Sequence, residues 1–282
     1  MNDTFYVCYS VCEKKDTSLL DAFVGILYII YSLFINLIAK KLLDIVQGFF
    51  WWSEKVQKGV GMIRNYENQQ KVIFEGAGEY GIPEIEATNY EECDFISFNY
   101  AAGCKSRADK GCHFFIDDYQ FQRLWSQPDR YMDMLGDFRY VMSPDFSTYT
   151  DFPKALQVYN HFRKHWIGAY MQLHGIDVIP TISWSTTDSF KWCFDGEPAG
   201  GVVAVSSVGV MNREKCRELF MLGYNEMLKR LEPETILFYG AVPEECEGNI
   251  IRLRSFSETM RERINDGRQR QLERDKITFA EL

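Results

Sequence analysis

Two hydrophobic patterns alternate along residues 76–254. Short continuous apolar runs, typical of strands covered on both faces, are separated by longer segments with apolar positions at helical spacing. This alternation predicts parallel strands joined by crossover helices. The predicted strands are residues 95–99, 113–116, 140–142, 178–183, 202–206, 236–239 and 250–253. The predicted helices are residues 119–135 with a break near Pro128, residues 153–173, and residues 212–231.

The pattern therefore predicts an α/β domain with a mainly parallel sheet. Two architectures fit: a doubly wound open sheet, or a barrel-like β/α arrangement, either closed or incomplete. The six or seven predicted strands are fewer than the eight of a full barrel. Polar residues directly after almost every strand favour the barrel-like form. The chain contains neither a G-x-G-x-x-G fingerprint after the first strand nor a P-loop.

Residues 1–75 form a separate predicted helical region. Residues 22–38 carry no charge and are followed by Lys40 and Lys41, so residues 19–39 are long enough for a short membrane span. Residues up to 52 would then add an interfacial amphipathic helix ending in two tryptophans. The basic residues that follow predict that the main domain faces the cytoplasm. The alternative is a helical hairpin packed on the main domain or on another subunit.

Composition and charge limit the kinds of molecule that the chain is expected to bind. With 31 Lys+Arg against 40 Asp+Glu, the net charge of −9 argues against nucleic-acid binding, which would need a basic groove around Arg163, Lys164 and Lys191. The eight cysteines form no C-x-x-C pair, which predicts free thiols in a reducing compartment and no cysteine zinc site. The charged tail at 255–282 predicts a solvated or frayed helix, with a partner-binding helix as the alternative.

Carboxylates after the predicted strands are the candidate catalytic groups. In parallel α/β folds ligands bind at the carboxyl ends of the strands. Asp117 and Asp118 follow one strand, Asp145 follows the next, and Asp195 lies in an FDG turn with Glu197 two residues on. If they converge, they could hold Mg²⁺ or act as acid and base. The alternative is that they cap a helix or shape a turn.

Other polar and aromatic residues are candidate ligand-binding groups. Ser143 lies beside Asp145, and Ser206 and Ser207 begin a turn that could bind an anion through backbone N–H groups. Trp184 directly follows a strand and could stack on a ring, or it could pack in the core. Asn160 and Arg163 on the helix at 153–173 could reach a phosphate, although Arg163 could equally form a surface ion pair.

His161 and His165 stand four residues apart, on one face of that helix. The spacing can bind a metal ion, but residues 162–164 are Phe, Arg and Lys, so there is no H-E-x-x-H motif. We therefore expect no metal site here, and an exposed helix face with Lys164 beside the two histidines.

Several segments in order carry a family resemblance: HFFIDDYQFQRLW, SPDFSTYTDFPKALQVYNHFRKHWIGAY, GIDVIPTISW, FDG, VAVSSVG and ILFYG. Over about residues 80–250 the chain resembles the domain of unknown function 4417 family of bacterial, phage and mobile-element proteins. The resemblance implies a single α/β domain in a phage or mobile-element setting. It implies no reaction.

Two functions follow as hypotheses. The first is an enzyme that acts on a phosphorylated or ring-bearing small molecule or a nucleotide, with Asp145 and Asp117 as acid, base or metal-ligand groups. The second is a non-enzymatic protein that binds a host factor, anchored to the membrane through residues 19–52.

Overall fold

Parallel strands in sequence order form the framework of the domain. The computed structural model describes residues 66–256, 258, 260, 261 and 264. The segments predicted as a membrane span and interfacial helix, together with Cys8, Cys12 and most of the charged tail, lie outside the described residues. The strands are β1 (Gly76–Ala77), β2 (Ile82–Pro83), β3 (Asp94–Ser97), β4 (Lys110–His113), β5 (Tyr140–Met142), β6 (Val178–Ile179), β7 (Val202–Ser206), β8 (Thr235–Tyr239) and β9 (Ile250–Leu253).

These strands pair with their neighbours in the chain. β1 and β2 form a small antiparallel hairpin, whereas β3 to β6 form one parallel sheet and β7 to β9 another. A parallel bridge between Thr181 and Ala204 joins the two sheets. The Ile182 N–H donates to the Ala204 carbonyl, and the Ala204 N–H donates to the Pro180 carbonyl, both at 2.8 Å. The strands from β3 to β9 therefore run in one parallel order, as predicted.

The parallel strands curl around an inner apolar cluster. The ring of His113, at the end of β4, lies 5.0 Å from the ring of Tyr239, at the end of β8, although three strands separate them in order. Among the described residues no hydrogen-bonded ladder joins β3 to β9. The inner cluster contains Phe95, Phe115, Tyr140, Met142, Ile179, Val202, Ala204, Leu237, Ile251 and Leu253.

The helices cover the outside of the strands. They pack on two outer apolar clusters, one against β3 to β6 and one against β7 to β9. A short break at Gln127 and Pro128 separates two of them, which confirms the predicted break. The helices are α1 (Phe98–Ala101), α2 (Asp118–Ser126), α3 (Asp129–Gly136), α4 (Lys154–Leu173) and α5 (Glu214–Leu231), with 3₁₀ turns at Arg107–Asp109 and Thr187–Lys191.

Some predicted strand boundaries were wrong. The second predicted strand, 113–116, is instead β4 at Lys110–His113, because its pairing to β3 uses the small residue Gly111 under the Phe95 ring and not the apolar run that follows. The predicted strand 178–183 ends as β6 at Ile179, since Pro180 has no N–H to donate. Asn99, predicted to end the first strand, lies in α1. The hairpin of β1 and β2 was not predicted.

Residues just ahead of the predicted domain boundary at 75 and 76 contact the domain. The Asn68 side chain donates to the Trp125 carbonyl at 2.8 Å, and Trp166 donates to the Val72 carbonyl at 3.2 Å. Glu67 accepts hydrogen bonds from Trp125 and Tyr159. In the part of the chain that the structure describes, no helix combines the length and apolar character needed to cross a membrane.

Candidate functional site

The carboxyl ends of β5 and β6 are joined by side-chain hydrogen bonds. The Thr181 N–H donates to Ser143 Oγ, and Thr181 Oγ1 donates to the Ser143 carbonyl, both at 2.8 Å. Ser143 and Thr181 are buried. Ser143, a predicted ligand-binding residue, therefore uses its hydroxyl to extend the pairing of the two strands, where Pro144 and Pro180 have no backbone N–H to donate.

Two predicted site residues hold the loop that carries Asp145. Asp118, in the first turn of α2, accepts from the Ser147 N–H at 3.1 Å and from Ser147 Oγ at 2.8 Å. From the other side, Asn160 of α4 donates to the Ser147 carbonyl at 2.6 Å. All backbone and side-chain groups of Ser147 are thus bonded, and the loop has a defined position.

Asp145 itself lies near both Asp118 and Lys164. Its carboxyl group has no hydrogen-bond partner among the described residues, and the residue is partly buried. Burial raises the pKa of Asp145 to about 7, the nearby Lys164 ammonium lowers it in part, and the Asp118 carboxylate raises it further. A carboxyl group with a pKa near neutrality can both accept and donate a proton, which suits a general acid or base.

The other two predicted catalytic carboxylates lie apart from this loop. Asp117 is exposed just before α2, where its carboxylate accepts from Gln120 at 3.5 Å. Asp195 lies beside Gly78 of the β1–β2 hairpin, where a Cβ on Gly78 would come within 1.9 Å of Asp195 Oδ2. Burial raises the pKa of Asp195 against the effect of Arg230 and His165. The structure thus brings Asp118 and Asp145 together, and leaves Asp117 and Asp195 elsewhere.

The turn at Ser206 and Ser207 is closed by its own hydrogen bonds. Ser206 Oγ accepts from the Val208 N–H at 3.2 Å, and the Ser207 N–H donates to the Tyr239 carbonyl at 3.1 Å. Ser207 Oγ donates to the Ala241 carbonyl at 2.6 Å. The next helix, α5, starts at Glu214, so its N-terminus does not coincide with the turn. An anion site here stays a prediction.

Arg163 and Trp184 both lie in packed surroundings. The Arg163 guanidinium is 4.0 Å from the centroid of the Phe146 ring and donates to Asn160 and to Gln122, at 2.5 and 2.9 Å. The Trp184 ring packs on Phe220 and on Gly223 of α5, where a Cβ would come within 2.2 Å of the indole nitrogen. Their proposed contacts to a phosphate and to a ring stay predictions.

A second polar cluster lies between α4 and the segment after the Thr187–Lys191 turn. Lys164 Nζ donates to the Thr181 carbonyl at 2.8 Å and to Glu197 Oε1 at 2.5 Å. His165 Nε2 lies 3.0 Å from the same Glu197 oxygen, and its Nδ1 lies 2.9 Å from the Pro83 carbonyl. His161 Nε2 faces the Asp195 carbonyl at 3.1 Å. The side chains of Lys164, His165 and Glu197 are 0–1% exposed.

Burial and mutual charge govern protonation in this cluster. Burial lowers the pKa of both His161 and His165, and Lys164 lowers them further, although Glu197 raises that of His165. Burial alone would raise the pKa of Glu197, but Lys164 and His165 outweigh it, so the net direction is down. The cluster therefore holds a charged Glu197–Lys164 pair beside two neutral imidazoles.

The expected exposed face of this helix was wrong. His161, Lys164 and His165 are all buried, because the hairpin of β1 and β2 and the segment at Trp192–Glu197 cover them. Of the three residues considered for a basic groove, Arg163 and Lys164 are buried, whereas Lys191 is exposed. The sequence signal for Glu197 was only its place two residues after Asp195, which does not connect it to His161 and His165.

A basic surface cavity lies at the carboxyl ends of β8 and β9. It has a volume of about 340 Å³ and is lined by Arg252, Arg254, Arg261 and Glu258. Arg252 Nε donates to the Gly240 carbonyl at 2.9 Å, which connects the two strand ends, and its guanidinium also pairs with Glu258. Sequence reasoning did not single out these arginines.

Comparisons with known proteins give the relationship of this chain. The family model described as Domain of unknown function (DUF4417) matches residues 74–257. The chain is 40% identical over 172 residues to the "Gene 1 protein" of Mycobacterium phage L5, covering 60% of this chain and 75% of that protein. It is 38% identical over 172 residues to the "Gene 1 protein" of Mycobacterium phage D29, covering 60% of this chain and 64% of that protein. No solved structure matches the chain. The resemblance is thereby confirmed, and the chain belongs to the domain of unknown function 4417 family.

Proposed function

We propose that this chain is an enzyme in which Asp145 acts as general acid or base on a phosphorylated or ring-bearing small molecule such as a nucleotide. The observation that carries the proposal is the Asp145 carboxyl group, which has no hydrogen-bond partner among the described residues while the loop around it is held by Asp118 and Asn160. A fixed backbone with a free carboxyl group is the arrangement that proton transfer to a bound substrate requires.

The electrostatic surroundings support the same role. A carboxyl group that serves as acid or base works best when its pKa lies near the working pH. Burial brings the pKa of Asp145 to about 7, and the carboxylate of Asp118 contributes in the same direction. Asp118 is then a positioning residue, because it holds the Ser147 loop by hydrogen bonds and raises the pKa of Asp145.

The proposed substrate class follows from charge. The chain carries a net charge of −9, yet Arg252, Arg254 and Arg261 line one cavity with a single glutamate. The cavity lies at the carboxyl ends of parallel strands, and Asp145 likewise follows the carboxyl end of a parallel strand, β5. Guanidinium groups bind phosphate oxygens in a bidentate way, so a phosphorylated ligand suits this cavity.

The test starts with ligand binding to the full-length chain. We would record thermal unfolding with Mg²⁺, Mn²⁺, nucleotides and sugar phosphates, since a ligand at 100 times its Kd stabilises the folded state by about 2.7 kcal/mol. Each ligand that raises the transition would be incubated with the protein, and its conversion followed by mass spectrometry.

Asp145→Asn is the decisive variant, and Asp133→Asn, at an exposed position of α3, is its control. We expect Asp145→Asn to lower turnover by about 100-fold or more, the range for loss of a general acid or base, while Asp133→Asn keeps it. Turnover that survives Asp145→Asn would exclude the proposed role. A folded chain that no ligand stabilises would also overturn the proposal and favour the host-factor interaction.

A further inference from the structure

The buried cluster of His161, His165 and Glu197 contains the donor set of a metal site. One ligand atom from each residue lies within 4.8 Å of the others. These atoms come from one face of α4 and from a segment more than thirty positions further along the chain, so the site forms only in the folded protein. We propose that these three side chains bind a zinc ion.

The tautomers of the two histidines support this assignment. A carbonyl oxygen only accepts hydrogen bonds, so the ring nitrogen that faces one must carry the hydrogen. His165 Nδ1 faces the Pro83 carbonyl and His161 Nε2 faces the Asp195 carbonyl. The other ring nitrogens, His165 Nε2 and His161 Nδ1, therefore keep lone pairs. Metal-bound histidines show this arrangement, in which the second ring N–H is donated to a carbonyl or carboxylate.

Two atoms of the cluster are buried without a partner among the described residues. These are His161 Nδ1 and Glu197 Oε2. An unsatisfied buried polar atom costs about 1–3 kcal/mol, so a structure that contains two in one cluster calls for a ligand. Both are lone-pair donors, and a cation satisfies both, whereas a hydrogen-bond acceptor would satisfy neither.

The close contact between His165 and Glu197 also supports a bound cation, once the hydrogen of the imidazole is assigned. His165 Nε2 and Glu197 Oε1 are 3.0 Å apart. With the hydrogen on Nδ1, these atoms are two acceptors facing each other. A cation bound by His165 Nε2 and by the other oxygen of the same carboxylate, Glu197 Oε2, offsets this repulsion. Neighbouring ligands of a tetrahedral Zn²⁺ with bonds of about 2.1 Å are roughly 3.4 Å apart. All three separations lie within 4.8 Å, so none must shorten by more than about 1.4 Å to reach this spacing.

Ligand chemistry and charge favour zinc over magnesium. Two imidazoles and one carboxylate are typical zinc ligands, whereas Mg²⁺ prefers oxygen. Lys164 holds Glu197 Oε1 and leaves Oε2 for the metal ion. The carboxyl groups of Asp145 and Asp195 lie near Lys164 and His165 respectively, so two further acidic groups lie close to the cluster. The donors are fully buried, so we expect a structural ion that stabilises the fold by linking residues 192–197 to α4.

The test measures metal content, and so does not depend on the proposed catalysis by Asp145. The tag-free full-length chain would be treated with a chelator and dialysed against Zn²⁺. Its metal content would then be measured by inductively coupled plasma mass spectrometry. We expect about one zinc ion per chain and a higher unfolding temperature than in chelator, as for a ligand that binds only the folded state. The Co²⁺-loaded chain should show the visible absorption bands of four-coordinate cobalt.

His161→Gln is the main variant, and His174→Gln, at the exposed end of the same helix, is the control. We expect His161→Gln to weaken zinc binding by at least about tenfold and His174→Gln to leave it unchanged. If His161→Gln does not fold, zinc content and cobalt absorption of the wild-type chain still test the proposal. A wild-type chain that lacks both bound zinc and the cobalt bands overturns it. Equal zinc binding by the wild-type chain and a folded His161→Gln variant also overturns it.

Discussion

The two faces of α4 are equally buried but stabilised in different ways. On one face Trp166 stacks on Tyr170 with ring centroids 4.7 Å apart and meets the Trp125 ring edge-on at 5.6 Å. On the other face His161, Lys164 and His165 are 0–1% exposed. The first face needs apolar neighbours of the right shape, together with one acceptor for the Trp166 indole N–H. The second needs an oppositely charged or accepting atom at each polar group.

The partners of the polar face come from distant parts of the chain. They are the carbonyls of Pro83, Thr181 and Asp195 and the carboxylate of Glu197. A polar helix face therefore predicts solvent exposure only when no other segment of the fold supplies hydrogen-bonding or charged partners for it. It also makes the two faces respond differently to substitution.

The largest expected effect is on the apolar face. Trp166→Ala should lower the free energy of unfolding by about 4 kcal/mol, because a fully buried tryptophan leaves a cavity that the rigid neighbours do not fill. Urea denaturation monitored by circular dichroism measures this loss. Leu156→Ala, at a position of the same helix that is 39% exposed, is the control and should cost much less. Similar values for both variants would contradict the packing described.

A slightly smaller effect is expected on the polar face. Lys164→Met should cost about 3 kcal/mol, because Glu197 is then buried without its cation. The double variant Lys164→Met with Glu197→Leu should be more stable than Lys164→Met alone, since it no longer buries an unpaired charge. The same denaturation experiment measures both. A double variant whose losses simply add would show that the pair does not interact.

The smallest effect concerns Asp145 and has the opposite sign. Because the folded pKa of about 7 lies above the ordinary value of 3.8, the folded state favours the protonated form. Its contribution to stability is present below about pH 4 and is lost as pH rises to 7. Asp145→Asn should therefore stabilise the protein by roughly 2 kcal/mol at pH 8, with partial solvent screening taken into account, and by much less at pH 4.

Thermal unfolding from pH 4 to pH 8 measures this difference, with Asp133→Asn as the exposed control. A variant that is less stable than the wild type at pH 8 would mean that Asp145 is stabilised as a carboxylate. That result would also weaken the role of Asp145 as acid or base.

Local pattern was enough to predict much of the fold. The strands at Tyr140–Met142, Val202–Ser206 and Ile250–Leu253 were predicted to the residue, because each is a short run of mainly apolar residues. The position of β4 was not predicted, because its pairing with β3 depends on a glycine under the Phe95 ring and not on hydrophobicity. The hairpin of β1 and β2 has only two residues in each strand and no detectable pattern.

The candidate site, like the fold, was predicted only in part from the sequence. Asp118 and Asp145 were selected because each follows a strand, and the structure brings them together at the Ser147 loop. The meeting of His161 and His165 with Glu197 was not predictable, because more than thirty residues separate the histidines from the glutamate and no motif connects them.

The sequence by itself determined the order of strands and helices, their parallel direction and the carboxylates that follow the strands, because these depend on periodicity and on near neighbours in the chain. Only the tertiary structure decided which polar groups are buried, which of them meet, and that Asp145 has a pKa near neutrality while Asp117 remains in solvent. The physical reason is that burial and charge interactions depend on distance in space, and the fold brings together segments that are far apart along the chain.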